Sequence, residues 1–83
     1  MDLFALAQLP AKPFSAEDLS IIRNSDAYLS EYLFLEGNEL VGEQQEKIHR
    51  LDVSFYRLCL PDAIVFTSDL TEALSILDHL TTA

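Results

Sequence analysis

The stretch VSFYRLCLPDAIVF, residues 53–66, decides the fold of this 83-residue chain, because two interpretations of it predict two different architectures. In the first, the stretch is the end of a long helix. Apolar side chains recur at steps of three and four from Val41 through Ile48 to Leu58, as on one face of a helix, and Pro61 ends the pattern. This interpretation predicts an all-α fold, a small antiparallel three-helix bundle with an N-terminal arm.

The second interpretation makes the same stretch a β-hairpin. Valine, isoleucine, phenylalanine and tyrosine favour strands, so residues 52–58 and 63–66 can pair around Leu60-Pro61-Asp62. It predicts an α+β fold with a short hairpin around residues 52–66. We favour the helical interpretation, because its periodic pattern spans the whole segment and only Gln44 interrupts it.

The ends of the predicted elements follow from prolines and capping residues. Pro10 and Pro13 separate an arm and linker, residues 1–13, from the first helix, because proline has no amide donor and restrains the residue before it. Ser15 is a candidate N-cap of that helix, and Ser25 is a candidate cap for a second helix that bends its path. The chain is predicted to form one domain, residues 1–83, with helices at about residues 16–36, 38–60 and 68–81.

Composition limits the class of protein. Hydrophobic residues make up 49% of the chain, which argues against disorder. Cys59 is the only cysteine, so no internal disulfide can form, and its apolar neighbours predict that it is buried. No apolar run approaches the roughly 18 residues of a membrane span, and MDLFALAQLP lacks the basic start of a signal peptide. We therefore expect a cytoplasmic protein, of a host cell or of a phage-infected cell.

Negative charge is concentrated in the first half of the chain. Residues 1–46 carry nine acidic and two basic residues, whereas residues 47–61 carry Lys47, Arg50 and Arg57 against one aspartate. A net charge of −9 repels nucleic acid and anionic lipid and attracts basic surfaces. The sequence therefore predicts a partner protein with a basic surface, and no direct binding to nucleic acid or to a membrane.

A candidate acidic face follows from the predicted helices. Four glutamates are spaced three, four and three positions apart: Glu36, Glu39, Glu43 and Glu46. On a continuous helix they form one carboxylate row, with neighbours about 5 Å apart, which suits a basic partner. Tyr28 and Tyr32 add apolar contact area to this face. In the competing interpretation, Gly37 and Gly42 break the helix and scatter the acids, and both tyrosines are half-buried edges of the core.

A candidate apolar face lies in the opening stretch. As a helix, this stretch has more apolar surface than a two-helix contact needs, so the arm, a neighbouring segment or a second subunit must cover it. The residues of this alternative binding surface are Phe55, Tyr56, Leu60 and Phe66. It predicts self-association as a homodimer, or docking of a partner helix.

Patterns for catalysis and for metal binding are weak. Glu46 and His49 form one Glu-x-x-His pair, but a di-iron bundle needs a second pair and two more carboxylates. Cys59 lies at a predicted helix end among leucines, where nothing lowers the pKa of a thiol. We therefore predict no catalytic residue, no metal site and no cofactor.

The sequence thus predicts a small acidic protein that is not an enzyme and that binds another protein. The first hypothesis is an inhibitor or immunity-type module, of the class that includes anti-CRISPR-like phage counter-defence proteins, whose carboxylate face blocks a basic, nucleic-acid-handling partner. The alternative is a helical adaptor, or a chaperone-like or self-associating structural protein, that binds through the apolar face. Binding through carboxylates weakens with salt, whereas apolar association tolerates salt.

Overall fold

The computed structural model describes the backbone of residues 3–81 and the side chains of residues 4–79. Residues 1 and 2 of the predicted arm lie outside this range. The strands form one antiparallel sheet in sequence order: β1 (Leu33–Glu36), β2 (Glu39–Gly42), β3 (Lys47–Asp52), β4 (Phe55–Leu60) and β5 (Ala63–Thr67). The described helices are α1 (Leu3–Gln8), α2 (Ala16–Arg23), α3 (Asp26–Leu29) and α4 (Leu70–Thr81).

The predicted all-α three-helix bundle is wrong. Residues 38–60, predicted as one helix, instead contain β2, β3 and β4. The apolar residues at steps of three and four belong to both faces of the sheet. Ile48 and Leu58 lie opposite each other in the core, whereas Val41 pairs with Lys47 on the other face. Successive residues of a strand point to opposite sides of the sheet. Apolar residues that lie on the two different faces were therefore spaced along the sequence like residues of one helix face.

The hairpin of the second interpretation is present, at residues 55–67 instead of 52–66. β4 and β5 are joined by the two-residue turn Pro61-Asp62, with Leu60 opposite Ala63. Proline removes an amide donor, so it fits a turn better than the interior of a sheet. This hairpin is one part of a five-stranded sheet, and the other three strands were not expected.

The helix that begins at residue 16, α2, is shorter than the predicted helix of residues 16–36. Ser15 caps α2, because its side chain accepts from the Asp18 amide and the Asp18 carboxylate accepts from the Ser15 amide. Ser25 caps α3, and its hydroxyl accepts from the Tyr28 amide. After α3 the chain enters the sheet at Leu33 instead of remaining helical.

The main core lies between one face of the sheet, the inner face, and α2, α3 and α4. Leu40, Ile48 and Leu58 form a row across the three central strands, and each is fully buried. Ile22 of α2 and Leu77 of α4 are also fully buried in this cluster. Burial of each such side chain stabilises the fold by about 1.5–3 kcal/mol relative to exposure. The helices are therefore held by the inner face, and the opposite face of the sheet carries different chemistry.

Within residues 3–81, none of the helices has the length and the apolar character needed to cross a membrane.

Candidate protein-interaction surface

The outer face of the sheet, opposite α2–α4, consists of two neighbouring rows of side chains that run across all five strands. Cross-strand partners lie on the same face of a sheet, so the register defines each row. The apolar row consists of Phe34, Val41, Lys47, Cys59 and Ile64. The polar row consists of Glu36, Glu39, His49, Arg57 and Phe66.

Arg57 is the centre of the polar row and is buried on this outer face. Its Nε and Nη2 lie 3.2 and 3.0 Å from His49 Nδ1, and its Nη1 donates to the backbone oxygens of Leu6 and Ala7 at 2.9 and 3.0 Å. The guanidinium has only donors, so Nδ1 of His49 accepts and the ring proton is on Nε2. Nε2 then donates to Glu39 Oε1 at 3.0 Å. The network therefore joins a β2 carboxylate to the last turn of α1.

The negative charge of Glu39 and the positive charge of Arg57 are linked through the neutral imidazole of His49. Glu39 also faces Lys47, whose Nζ lies 3.7 Å from Glu39 Oε2. The hydrogen bond from His49 is the largest influence on the Glu39 carboxyl and lowers its pKa below the ordinary value of 4.5, although desolvation opposes the shift. The carboxylate of Glu39 therefore supports the orientation of His49, and His49 supports Arg57.

The N-terminal helix α1 covers part of the outer face. Leu6 is buried, and Arg57 binds two carbonyl oxygens at the end of this short helix. The linker that follows is also attached to the sheet, because the Lys12 amide donates to the Arg50 backbone oxygen at 2.8 Å. The segment predicted as a separate arm is thus a cover for the polar row.

The apolar row remains accessible at both of its ends. Phe34 on β1 is 50% exposed and Ile64 on β5 is 46% exposed. The three residues between them, Val41, Lys47 and Cys59, are half-buried. The row therefore presents exposed apolar side chains at both edges of the outer face, with the half-buried Lys47 between them.

The four glutamates of the predicted acidic face do not form one row. Glu36 and Glu39 lie opposite each other on the β1–β2 hairpin, and Glu43 is exposed in the turn after β2. Glu46 is only 2% exposed. Two of the four, Glu36 and Glu43, therefore have exposed side chains, and only Glu36 and Glu39 share a row.

Glu46 is buried because it closes the turn between β2 and β3. Its Oε1 accepts from the Gln44 amide at 2.7 Å, and its backbone oxygen accepts from the Gly42 amide at 2.7 Å. A Cβ atom at Gly42 would lie 3.0 Å from Glu46 Oε1, so glycine leaves the space that the carboxylate needs. Glu46 is thus a structural residue of this turn.

The two predicted tyrosines lie on different parts of the surface. Tyr28 of α3 is half-buried against the main core and lines a groove beside β1. Tyr32 follows α3, is 40% exposed and lines a cavity of about 380 Å³ with Asp26, Asp78 and His79. The two tyrosines therefore line different cavities and do not form one surface patch.

The predicted apolar face is divided between the two sides of the sheet. Phe55 and Phe66 stack on the outer face with ring centroids 6.0 Å apart. Tyr56 is buried on the inner side, and its hydroxyl donates to Asp18 Oδ1 at 2.5 Å. Leu60 is half-buried and packs against the main core. Only the two phenylalanines can therefore contribute to an outer binding surface.

The buried Tyr56 belongs to a second polar cluster, next to the N-terminal end of α2. Asp18 accepts from the Tyr56 hydroxyl, and Arg50 Nε lies 3.5 Å from Asp18 Oδ2. Burial, followed by the hydrogen bond with Asp18, raises the pKa of Tyr56 to about 12. These contacts connect the helical layer to β3 and β4.

The structure locates the residues that were considered for chemistry. Cys59 is half-buried, not fully buried, and its register partner on the outer face is Lys47. His49 hydrogen-bonds Glu39 and Arg57, whereas Glu46 belongs to the turn. Within the part of the chain whose side chains are described, no group of three or more His, Cys, Asp or Glu is arranged to hold a metal ion.

His49 and Arg57 were not predicted as surface-determining residues. Lys47 and His49 are polar residues at alternate positions of β3, which is a signal that a strand-based interpretation can use. Arg57 lies between Phe55 and Cys59 at the alternate positions of β4, and gives no such signal. Comparisons of the chain with models of protein families, with curated proteins and with solved structures find no match.

Proposed function

We propose that this protein is a protein-binding module, not an enzyme, and that its apolar row docks onto a partner with a basic surface. The observation that carries the proposal is the exposure of Phe34 and Ile64 at the two ends of a row that crosses the whole sheet. The stacked Phe55 and Phe66 lie on the same face and extend its aromatic surface. Apolar and aromatic side chains of this kind form the centres of protein interfaces.

Surface charge supports a basic partner. Among the described side chains, nine acidic residues are exposed, against two basic ones, Lys12 and Arg23. Such a surface attracts a basic partner and accelerates its association. Proteins that handle nucleic acid have basic surfaces, so an inhibitor or immunity-type role against such a protein is the form of the proposal that we favour. The proposal includes a cytoplasmic setting, which the single cysteine favours.

Self-association through the same row is the second candidate function. Two copies that each carry a net charge of −9 repel each other, so this contact is strengthened by salt. Binding to a basic partner is weakened by salt. The sign of the salt dependence therefore separates the two candidates.

The test compares two variants that add the same charge at different places. Ile64→Lys places an ammonium in the apolar row, and Val53→Lys places one in the β3–β4 turn, where Val53 is 75% exposed. Proteins retained by the wild-type chain from a host lysate are identified by mass spectrometry, and the affinity of each purified partner is measured at low and at high salt.

We expect Ile64→Lys to weaken binding at least about tenfold, because it replaces an apolar contact with a charge, and Val53→Lys to leave it within about twofold. Circular dichroism of both variants shows whether the fold is kept. Equal affinities for the two variants would contradict the assignment of the apolar row as the docking surface. Sedimentation that shows a dimer stabilised by salt would favour self-association instead.

A further inference from the structure

Strand β1 is at an open edge of the sheet. The sheet order places β2 on one side of β1 and no strand of the described chain on the other. Glu36 and Glu39 close the two-residue turn Gly37-Asn38 as a hydrogen-bonded pair, and Gly37 has the positive φ, 60°, of a type II′ turn. Hydrogen-bonded pairs alternate along an antiparallel ladder, so the backbone groups of Leu33 and Leu35 are directed away from β2. Leu33 is only 2% exposed, whereas Leu35 is half-buried, so Leu35 has the accessible outward-directed groups.

A groove runs along this edge. Its volume is about 470 Å³, and its walls are formed by α3, the connection to the sheet and β1: Tyr28, Leu29, Glu31, Leu33, Phe34 and Leu35. No residue of β2 lines it, so the groove opens on the free side of β1. Leu29 and Phe34 are 66% and 50% exposed. The edge therefore combines backbone groups that point away from β2 with apolar contact area.

Acidic side chains lie at both ends of the strand. Glu36 is the last residue of β1, Glu31 precedes the strand by two positions, and both are exposed. Phe34 lies between them and is also the end of the apolar row. A peptide on this edge would thus meet carboxylates at its ends and apolar walls at its centre.

We propose that β1 binds an extended segment of a partner protein as a sixth, antiparallel strand, with basic side chains opposite Glu31 and Glu36 and apolar side chains between them. This inference rests on the proposed function, and it specifies how the partner reaches the outer face. Addition of a strand to an exposed edge gives affinity through main-chain hydrogen bonds and specificity through alternate side chains. The partner residue opposite Phe34 continues the apolar row.

Pairing of β1 with β1 of a second copy is the competing use of this edge. The net charge of −9 on each copy opposes such a dimer, whereas it attracts a basic segment. Native proteins commonly protect edge strands with charged residues and by keeping them short, and β1 has only four residues. The edge is therefore suited to an oppositely charged strand more than to its own copy.

The probe is the peptide acetyl-Lys-Val-Phe-Val-Thr-Lys-amide, added to the ¹⁵N-labelled full chain and followed by NMR. In the proposed register its first lysine is opposite Glu36, its valines are opposite Leu35 and Leu33, and its phenylalanine is opposite Phe34. The backbone amides of the two valines then point toward β1, and that of the phenylalanine points away. Two N-methylated analogues, one at both valines and one at the phenylalanine, form a matched pair.

We expect the valine-methylated analogue to bind about tenfold more weakly than the parent peptide, because it loses the main-chain hydrogen bond to Leu35. The phenylalanine-methylated analogue is expected to bind within about twofold of the parent. Amide exchange of Leu35 is expected to slow when the parent peptide is bound. Equal weakening by both analogues, or no shift of β1 amides at millimolar peptide, would overturn strand addition.

Charge recognition is tested with two substitutions in the protein. Glu36→Lys changes the end of β1, and Glu43→Lys makes the same change in the turn after β2. We expect the first to weaken binding of the parent peptide about tenfold, as like charges disfavour docking, and the second to leave it nearly unchanged. A peptide with glutamates in place of its lysines is expected to bind Glu36→Lys better than wild type. Equal effects of the two substitutions would overturn recognition at this edge.

The NMR shifts distinguish binding at the β1 edge from docking on the apolar row. Shifts of Val41, Cys59 and Ile64 amides without shifts in β1 would contradict strand addition and leave docking on the apolar row in place. Shifts confined to β5, the other edge of the sheet, would also overturn the proposal. A dimer in sedimentation that dissociates when the peptide is added would show that β1 pairs with its own copy, and would overturn the choice of partner.

Discussion

Arg57 on β4 binds the backbone oxygen of Leu6, a residue 51 positions earlier, and so holds the N-terminal helix on the outer face of the sheet. The contact is buried and is shared with the neighbouring carbonyl of Ala7. The same guanidinium also binds His49, so attachment of α1 depends on the orientation of His49 in the polar row.

Removal of this guanidinium is expected to release α1. Arg57→Met keeps much of the apolar stem but leaves His49 Nδ1 and two carbonyl oxygens without their donor. We expect a loss of about 2–3 kcal/mol in the free energy of unfolding in urea, and faster amide exchange over residues 3–9. Arg23→Met is the control, because Arg23 is exposed and should change stability by less than about 0.5 kcal/mol. Unchanged exchange in α1 would contradict the role of Arg57.

Tyr56 is expected to ionise late in an alkaline titration. Burial and the Asp18 hydrogen bond favour the neutral phenol and raise its pKa from 10.0 to about 12. This contribution to stability is therefore complete below pH 10 and is lost as the pH rises toward 12. Absorbance at the tyrosinate band measures the step, and Tyr56→Phe is expected to lack the component near pH 12. The same titration curve in both proteins would contradict the assignment.

Glu39 is expected to make stability depend on pH in the acid range. Its pKa is lowered in the folded protein, so its contribution is present above about pH 4.5 and declines as the pH falls through the lower folded value. Glu39→Gln is expected to remove this part of the pH dependence of urea unfolding. Its register partner gives the matched control, because Glu36→Gln changes an exposed carboxylate that does not contact His49. Equal changes in the pH dependence of unfolding at acid pH in both variants would contradict this role of Glu39.

Asp78 is expected to behave in the opposite way. Burial raises the pKa of its carboxyl, and the nearby charge of Asp26 raises it further. Protonation is therefore favoured in the folded state, and this group adds stability as the pH falls through its raised pKa. Asp26→Asn is expected to lower the pKa of Asp78, measured by NMR of the side-chain carboxyl. Asp62→Asn, in the turn after β4, should leave it unchanged.

Local signals in the sequence were sufficient where one residue acts on its neighbours. Ser15 and Ser25 were recognised as caps because an N-cap contacts amides within the first turn of its own helix. The last helix, α4, lies close to the predicted residues 68–81, because the apolar residues Leu70, Ala73, Leu74 and Leu77 all lie on one buried side.

The sheet was missed where two periodicities overlap. Val41, Ile48 and Leu58 fit steps of three and four, but turns between the strands change the relation between sequence spacing and face. Gly37 and Gly42 were recognised as helix breakers, but not as residues of a hairpin and of a turn that encloses the Glu46 carboxylate. The candidate site depends on contacts such as Arg57 with Leu6, for which no short-range pattern exists.

The order of the strands has a consequence for synthesis of the chain. Each strand pairs with the next one along the sequence, so the sheet forms with little loop-closure entropy and is expected to fold quickly. Its inner face is completed by α4, which follows the sheet along the chain and so emerges from the ribosome after it. Until residues 70–81 emerge, the nascent sheet presents Leu40, Ile48 and Leu58 to solvent, and these are the side chains that a chaperone would meet first.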